Sequence, residues 1–372
     1  MNRQTISLGH ILGIPLGIDY SWFLIFGLLT WTLATGYFPS EFKAWPVAQY
    51  WVVAAVTAIL FFGSVLLHEL GHAVVAQRYQ LQVSSIRLHI FGGVSELDEE
   101  PASAISSFFI AICGPLVNLV LAGIFGLLAL VVSGIEPLLA LVKYLAMINL
   151  LLGLFNLIPG FPLDGGNVLM SIVWGITHNK HRAIMIAASS GSFFSYIFIF
   201  FGTYEILGGN LMNGIWTAFI GWFLLNASGG QVRRERLKEL LAGHRASEAM
   251  NRSFTMVQAD TPIQTLVDEH ILGSSRRSFI VKQGDAVIGL MTMHPLQDIP
   301  KEKWLTTTAG QAMIPAVSLK QINLNTGLWE AMEEMDRDGV NQLPVMTDGQ
   351  VQGMLTREDV ISYLRGLAVK GK

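Results

Sequence analysis

Six stretches of the chain are almost free of charge: residues 20–37, 50–79, 106–133, 138–158, 184–207 and 211–227. Each suits the roughly 20 residues that a helix needs to cross a hydrocarbon core. The pattern predicts a polytopic α-helical membrane protein with about six transmembrane helices. Only Gly208-Gly209-Asn210 separates the fifth stretch from the sixth. Between the second and third, the period changes. Ser84, Ile86, Leu88 and Ile90 alternate with Ser85, Arg87 and His89, which is strand periodicity. A small membrane-associated β-hairpin is expected at 82–96, with Gly92-Gly93 as its turn or bulge. Its edge would offer backbone groups to an extended peptide, or it would simply cap the helix ends. The acidic run Asp98-Glu99-Glu100 reads as a solvated loop.

Past residue 227 the pattern changes again. Residues 227–243, ASGGQVRRERLKELLAG, read as a flexible break followed by a basic amphipathic helix near anionic headgroups. The remainder repeats. Ala249-Met250 corresponds to Ala312-Met313, and Gly289-Leu290-Met291-Thr292 to Gly353-Met354-Leu355-Thr356. Each copy reads as strand, helix, strand, turn, strand, helix, a soluble α/β pair. The expected division is a membrane domain at 1–227, a linker at 228–244 and two copies at about 245–305 and 306–372.

Composition agrees. The chain is 52% hydrophobic and 14% charged, with mean hydropathy +0.48. Residues 1–230 hold 7 Lys/Arg and 10 Asp/Glu, against 17 and 17 in residues 231–372. A net charge of −3 argues against nucleic acid as a partner. One cysteine, Cys113, excludes an intrachain disulfide and a cysteine-based zinc site. The first twenty residues lack the layout of a signal peptide, so the first span is expected to be retained. With six spans, one membrane face receives Arg3, Arg78, Arg87, Lys180, Arg182, Arg233, Arg234 and Arg236. The positive-inside rule places that face, and both termini, in the cytoplasm.

Within this frame one motif stands out. Residues 64–79, SVLLHELGHAVVAQRY, place His68, Glu69 and His72 as H-E-x-x-H at the end of the second span. On a helix, residues four apart share a face, so both histidines can bind one metal ion, with Glu69 beside them to act on water. Short matches to this pattern arise by chance in soluble helices. Here no charged residue occurs from Val52 to Leu67, and ionisable groups in an apolar span are functional candidates by default. From Tyr50 to His68 is about 27 Å of helix, which sets the motif in the cytoplasmic half of the bilayer.

Two histidines leave a catalytic zinc site one protein ligand short. The fourth span breaks at Pro159 and Pro162, and Asp164 follows with Gly165-Gly166 available for a sharp turn. This span runs in the same direction as the second, so Asp164 returns to the depth of His68 and His72. Asn118 and Asn156 are polar groups in apolar surroundings. Each is a candidate to orient a substrate or stabilise an oxyanion; a helix-to-helix hydrogen bond is the rival role. His178 and His181 lie in a basic loop, and His10 and His89 have no partner at ligand spacing.

These residues resemble the site-2 protease family of intramembrane zinc metalloproteases. The matching motifs are His68-Glu69-Leu70-Gly71-His72, Phe91-Gly92-Gly93, Gly114-Pro115-Leu116-Val117-Asn118, and Asn156 through Pro159 and Pro162 to Leu163-Asp164-Gly165-Gly166. The resemblance implies one Zn2+ per chain on His68, His72 and Asp164, with Glu69 catalytic. It also implies single-pass or membrane-anchored protein substrates, cut within or beside their transmembrane segments. Asn167 departs from it, since relatives often carry arginine there. The repeat resembles a pair of cystathionine-β-synthase (CBS) domains, which implies an adenine nucleotide or a homodimer contact. Thr356 and Asp359 match the family's ribose contact; in the first copy, Thr292 is followed by Pro295 where aspartate is expected. Two other classes compete: a CBS-regulated transporter or channel, and a catalytically silent binder of membrane proteins.

Overall fold

The computed structural model describes residues 5–89, 92–97, 99–271, 278–284, 286–292, 299–316, 319–347 and 350–370. The chain divides into two units, Met1–Glu235 and Arg236–Lys372.

The first unit begins with an antiparallel hairpin, β1 (Thr5–Ile11) and β2 (Ile14–Asp19). It was not expected from the pattern. Its signal is the alternation of Ile14, Leu16 and Ile18 with Pro15, Gly17 and Asp19, which proline and glycine obscure. Helix α1 (Ser21–Thr32) passes through a π-turn into α2 (Phe38–Glu41), and α3 (Val47–Arg78) follows. Strands β3 (Val83–His89) and β4 (Gly92–Leu97) form the expected second hairpin. Because β3 also runs parallel to β2, the two hairpins make one sheet of order β1-β2-β3-β4, with β4 at its edge. Ile14, Leu16 and Ile86 pack this sheet against Leu70 and Ala73 of α3. The sheet is therefore clamped to the turn of α3 that carries the H-E-x-x-H motif. Phe91 and Asp98 lie outside the described residues.

Helices α4 (Ala104–Val131), α5 (Glu136–Asn156), α6 (Asp164–Thr177), α7 (Lys180–Leu207) and α8 (Leu211–Leu241) complete the unit and lead out of it. Ser103 starts α4 with a reciprocal capping box to Ser106. Among the described residues, five stretches are long and apolar enough to cross a membrane: Ser21–Glu41, Val47–Arg78, Ala104–Val131, Glu136–Asn156 and Lys180–Leu207. They correspond to the first five expected spans. The sixth, 211–227, is helical as the start of α8 but falls outside this set. At 14 residues, α6 is too short to cross.

One expectation is corrected here. No flexible break occurs at Gly229-Gly230; α8 runs through it without interruption. Each glycine costs a helix only about 1 kcal/mol, and tertiary contacts offset this locally. Buried Ser228 donates to the Ala188 carbonyl, and Val232 packs against the cluster of Phe161, Met170, Ala183, Ala187 and Ala188.

The second unit comprises α9 (Ala246–Ala249), β5 (Thr255–Gln258), α10 (Ile263–Thr265), β6 (Ser278–Gln283), β7 (Ala286–Thr292), α11 (Ala309–Ala312), β8 (Ile314–Pro315), α12 (Leu328–Arg337), β9 (Gln342–Thr347), β10 (Gln350–Thr356) and α13 (Arg357–Lys370). Its halves exchange segments. Residues 314–315 pair with β7 at Leu290 and Gly289, while Asn251 pairs with Met354 of β10. The outer bridges repeat the exchange, with Pro262 on Thr308 and Arg245 on Gly327. A Cβ on Gly289 would stand 2.5 Å from Met313 Sδ, and one on Gly353 2.8 Å from Met250 Sδ. The sequence repeat thus marks an internal pseudo-two-fold in which each copy's Ala-Met segment lies on the other copy's Gly-x-x-Thr strand.

Candidate metal centre and active site

Helix α3 carries His68 and His72 on one face, as their spacing requires. Their Nε2 atoms lie 3.1 Å apart. Asp164, in the first turn of α6, brings Oδ2 to 3.1 Å from His68 Nε2 and 3.5 Å from His72 Nε2. Three donor atoms of the type and number found in catalytic zinc sites thus converge on one point. Among the described residues this is the one such group.

The surroundings are built for a guest atom at that point. The Ile110 carbonyl lies 2.6 Å from His72 Nδ1. A carbonyl can only accept, so Nδ1 carries the proton and the Nε2 lone pair faces the centre. Asn118 Oδ1 holds His68 Nδ1 in the same way, at 2.6 Å. Helix α4 passes directly over both rings. A Cβ on Gly114 would stand 2.2 Å from His72 Nε2 and 2.7 Å from His68 Nε2. Any larger residue would fill the position toward which the donors point. The motif Gly114-Pro115 therefore does more than permit close helix packing.

Asp164 is held by a folded turn. Gly165 and Gly166 do not form the sharp turn expected of them; they follow Asp164 in the first turn of α6. A Cβ on Gly165 would stand 2.3 Å from the Ile158 carbonyl oxygen, and one on Gly166 2.4 Å from Gly160 C. Their smallness lets α6 press onto the 157–161 turn, and that fixes the carboxylate.

Glu69 lines a cavity of about 450 Å3 beside the histidines, together with His72, Asp164, Asn167, Gly93, Ser95 and residues of α4, α6 and α7. Ser95 Oγ donates to Glu69 Oε2 at 2.7 Å. A Cβ on Gly93 would stand 2.4 Å from Glu69 Cγ. Edge strand β4 is thus pressed against the acid, and its backbone borders the cavity. Lys180 and Glu100, both in the cavity wall, pair at 2.6 Å.

The other candidates separate. Asn118 is fully buried, with its oxygen on His68 and its nitrogen on Asn149. It holds the His68 ring, and its amide is engaged on both sides by protein groups in place of the expected substrate or oxyanion contact. Asn156 ends α5, half-buried, and is not among the cavity-lining residues. His181 pairs with Glu235 at 3.2 Å rather than standing in a solvated loop. In the second unit, Thr356 and Asp359 are brought together as a reciprocal cap of α13. The Thr356 amide and hydroxyl donate to Asp359 Oδ2 at 3.0 and 2.7 Å, and the Asp359 amide to Thr356 Oγ1 at 3.0 Å. Sequence reasoning missed Ser95, Ser64 and Asn149. An asparagine at 149 in an apolar span was the one available signal.

This constellation coincides with a family match. The model of peptidase family M50 matches residues 56–140 and 134–199, which contain every residue of the centre. A provisionally named zinc metalloprotease of Synechocystis sp. is 34% identical over 371 residues, covering 98% of this chain and 96% of that protein. The chain belongs to peptidase family M50. A zinc metalloprotease of Methanocaldococcus jannaschii is 26% identical over 374 residues, 99% of this chain and 98% of that protein. The site-2 protease structure from the same organism matches with 29% identity and a TM-score of 0.41, covering 62% of this chain and 95% of that one. A CBS domain model matches residues 312–366. Along nearly its whole length the M50 chain is similar to zinc metalloproteases, and it carries a CBS domain.

Proposed function

We propose that this M50 protein is an intramembrane zinc endopeptidase that cuts membrane-anchored proteins within or next to their transmembrane segments. The observation that carries this reading is the convergence of His68, His72 and Asp164 beside Glu69, where a 32-residue apolar helix meets the start of α6 next to the sheet-edge strand β4. Zinc on these three ligands would supply the Lewis acid that polarises water and the scissile carbonyl.

The chain's own residues do the rest. The Ser95 hydroxyl holds Glu69 Oε2, which leaves Oε1 to take a proton from water and return it to the departing amine nitrogen. A transmembrane helix is a poor substrate because its backbone groups are already paired. Local unwinding exposes them, and pairing with the outer edge of β4 would hold the extended segment along the cavity.

In this reading both termini are cytoplasmic and the centre lies in the cytoplasmic half of the bilayer. That topology requires the first part of α8 to cross as a sixth span. Its support is close packing on α7: Cβ atoms on Gly214 and Gly221 would stand 2.6 Å from the Gly202 and 2.7 Å from the Ser195 carbonyl oxygens. The exchanged halves of the second unit act as a CBS pair that regulates cleavage by adenine-nucleotide binding near Thr356 and Asp359 or by homodimerisation. The test is zinc content and cleavage of a panel of tagged single-span proteins, for the parent and for Glu69→Gln. One zinc in both with cleavage only in the parent supports the reading. Parent protein without zinc overturns it.

A further inference from the structure

The hydrogen bond from His68 to Asn118 leaves a question of direction. An amide can turn over, and a reversed Asn118 would present NH2 to His68 Nδ1, so the ring would have to place its proton on Nε2, where a metal ligand needs a lone pair. We infer that Asn149, anchored by Ser64, is a positioning residue that fixes the Asn118 amide and thereby aims His68 Nε2 at the metal point. The inference rests on the zinc reading above.

The argument starts from two groups that cannot reverse. The carbonyls of Leu60 and Leu145 can only accept hydrogen bonds. Ser64 Oγ lies 3.1 Å from the Leu60 oxygen, so its single proton goes there and its lone pairs face outward. Asn149 has one atom 2.9 Å from the Leu145 oxygen and 3.2 Å from Ser64 Oγ. Both partners are acceptors, so that atom is Nδ2, which has two protons to give. Asn149 Oδ1 then accepts, and it lies 3.2 Å from Asn118. The Asn118 atom facing it must be Nδ2, which leaves Oδ1 for His68 Nδ1–H at 2.6 Å. Every link has one permitted direction, and the last leaves the Nε2 lone pair free.

The path leaves α3 at Ser64, crosses to α5 and α4, and returns to α3 one turn on at His68. Asn149 and Asn118 are 0% exposed and Ser64 is 3% exposed, so water does not compete for these bonds. A chain of buried hydrogen bonds is worth most when every member is satisfied. A helix-to-helix staple would need only a contact; this path also needs a direction.

The experiment uses the full-length protein in detergent and measures zinc affinity by chelator competition, with the absorption spectrum of Co2+ as a second signature. Asn149→Leu should weaken zinc binding roughly 10- to 100-fold, the range for lost outer-shell partners, and shift the Co2+ bands. Asn149→Leu combined with Asn118→Leu should be no worse than Asn118→Leu alone, because the first residue acts through the second. Ser64→Ala should weaken zinc several-fold, and it carries the test if Asn149→Leu does not fold. Unchanged zinc affinity in folded Asn149→Leu, or in Ser64→Ala when it alone folds, overturns the relay, as does simple additivity in the double variant. A parent protein that binds no zinc overturns the functional reading instead.

Discussion

The two units dispose of polar groups in opposite ways. In the first, Ser64, His68, Asn118, Asn149, Ser107 and Ser171 are all buried. In the second, no polar or charged residue is buried as a whole among the described residues; its cores are built from Leu328, Met335, Leu355, Phe279 and their neighbours. Its polar network is exposed: Tyr363 donates to Glu248, which also holds His244 at 2.9 Å. The difference follows from the solvent. In water, polar side chains go outward and apolar ones gather. In lipid the outside is apolar already, so polar groups meet inside, and a membrane protein's interior is where its chemistry concentrates.

The comparison can be tested by changes whose effects stay within one unit. Glu69→Gln should give the largest effect: cleavage down by roughly 10²- to 10⁴-fold, the usual share of a general base, with zinc content unchanged. Loss of zinc in that variant would show that Glu69 shapes the centre instead. Gly114→Ala comes next. Its methyl would sit on the donor point, so the protein should fold, reach the membrane and carry little zinc. Full zinc occupancy would mean that α4 retreats more readily than its packing implies. Leu328→Ala probes the other unit. The side chain is fully buried, so about 2–5 kcal/mol of that unit's stability should go, seen as a lower denaturant midpoint of its transition, while zinc stoichiometry holds. Zinc loss there would show that the units are not independent.

The smallest effect concerns acid. The hydroxyl of Tyr363, and then His244, hold Glu248 down to about 2, and the same bond pushes Tyr363 up to about 12. A depressed carboxylate contributes stability above its unfolded value and loses it as pH falls through the folded one. The second unit should therefore weaken between about pH 4.5 and 2. Glu248 is solvent-exposed, so screening keeps the effect under about 1 kcal/mol. Glu248→Gln should flatten that part of the pH profile in equilibrium melts; an unaltered profile would assign the acid sensitivity to other carboxylates.

Much of the centre was legible because it depends on short-range rules. Helical spacing put His68 and His72 on one face, and counting spans brought Asp164 to their depth. The role of Asn118 was not legible, because a buried amide reads the same whether it faces substrate or a ligand. Gly165 and Gly166 were misread for a related reason: a glycine pair signals either a turn or a close approach, and only the neighbour decides. The β1–β2 hairpin hid behind Gly9, Gly13, Pro15 and Gly17, which weaken strand periodicity. The break expected at Gly229-Gly230 fails because α7 packs against that part of α8, a contact with no local trace. In the second unit the repeat was plain, but the exchange of segments between copies was not, since identical spacing fits two separate halves equally well.

That exchange has a bearing on how the protein is made. The first copy's strand β7 receives its last partner from residues 314–315, and the bridge at Asn251 waits for Met354. On a ribosome, the first copy emerges with an unpaired strand edge that no residue yet synthesised can cover. Exposed edges invite pairing with other chains. The interval before residue 315 leaves the ribosome is therefore the period in which this unit is most open to aggregation. A premature stop between the copies would leave that edge bare.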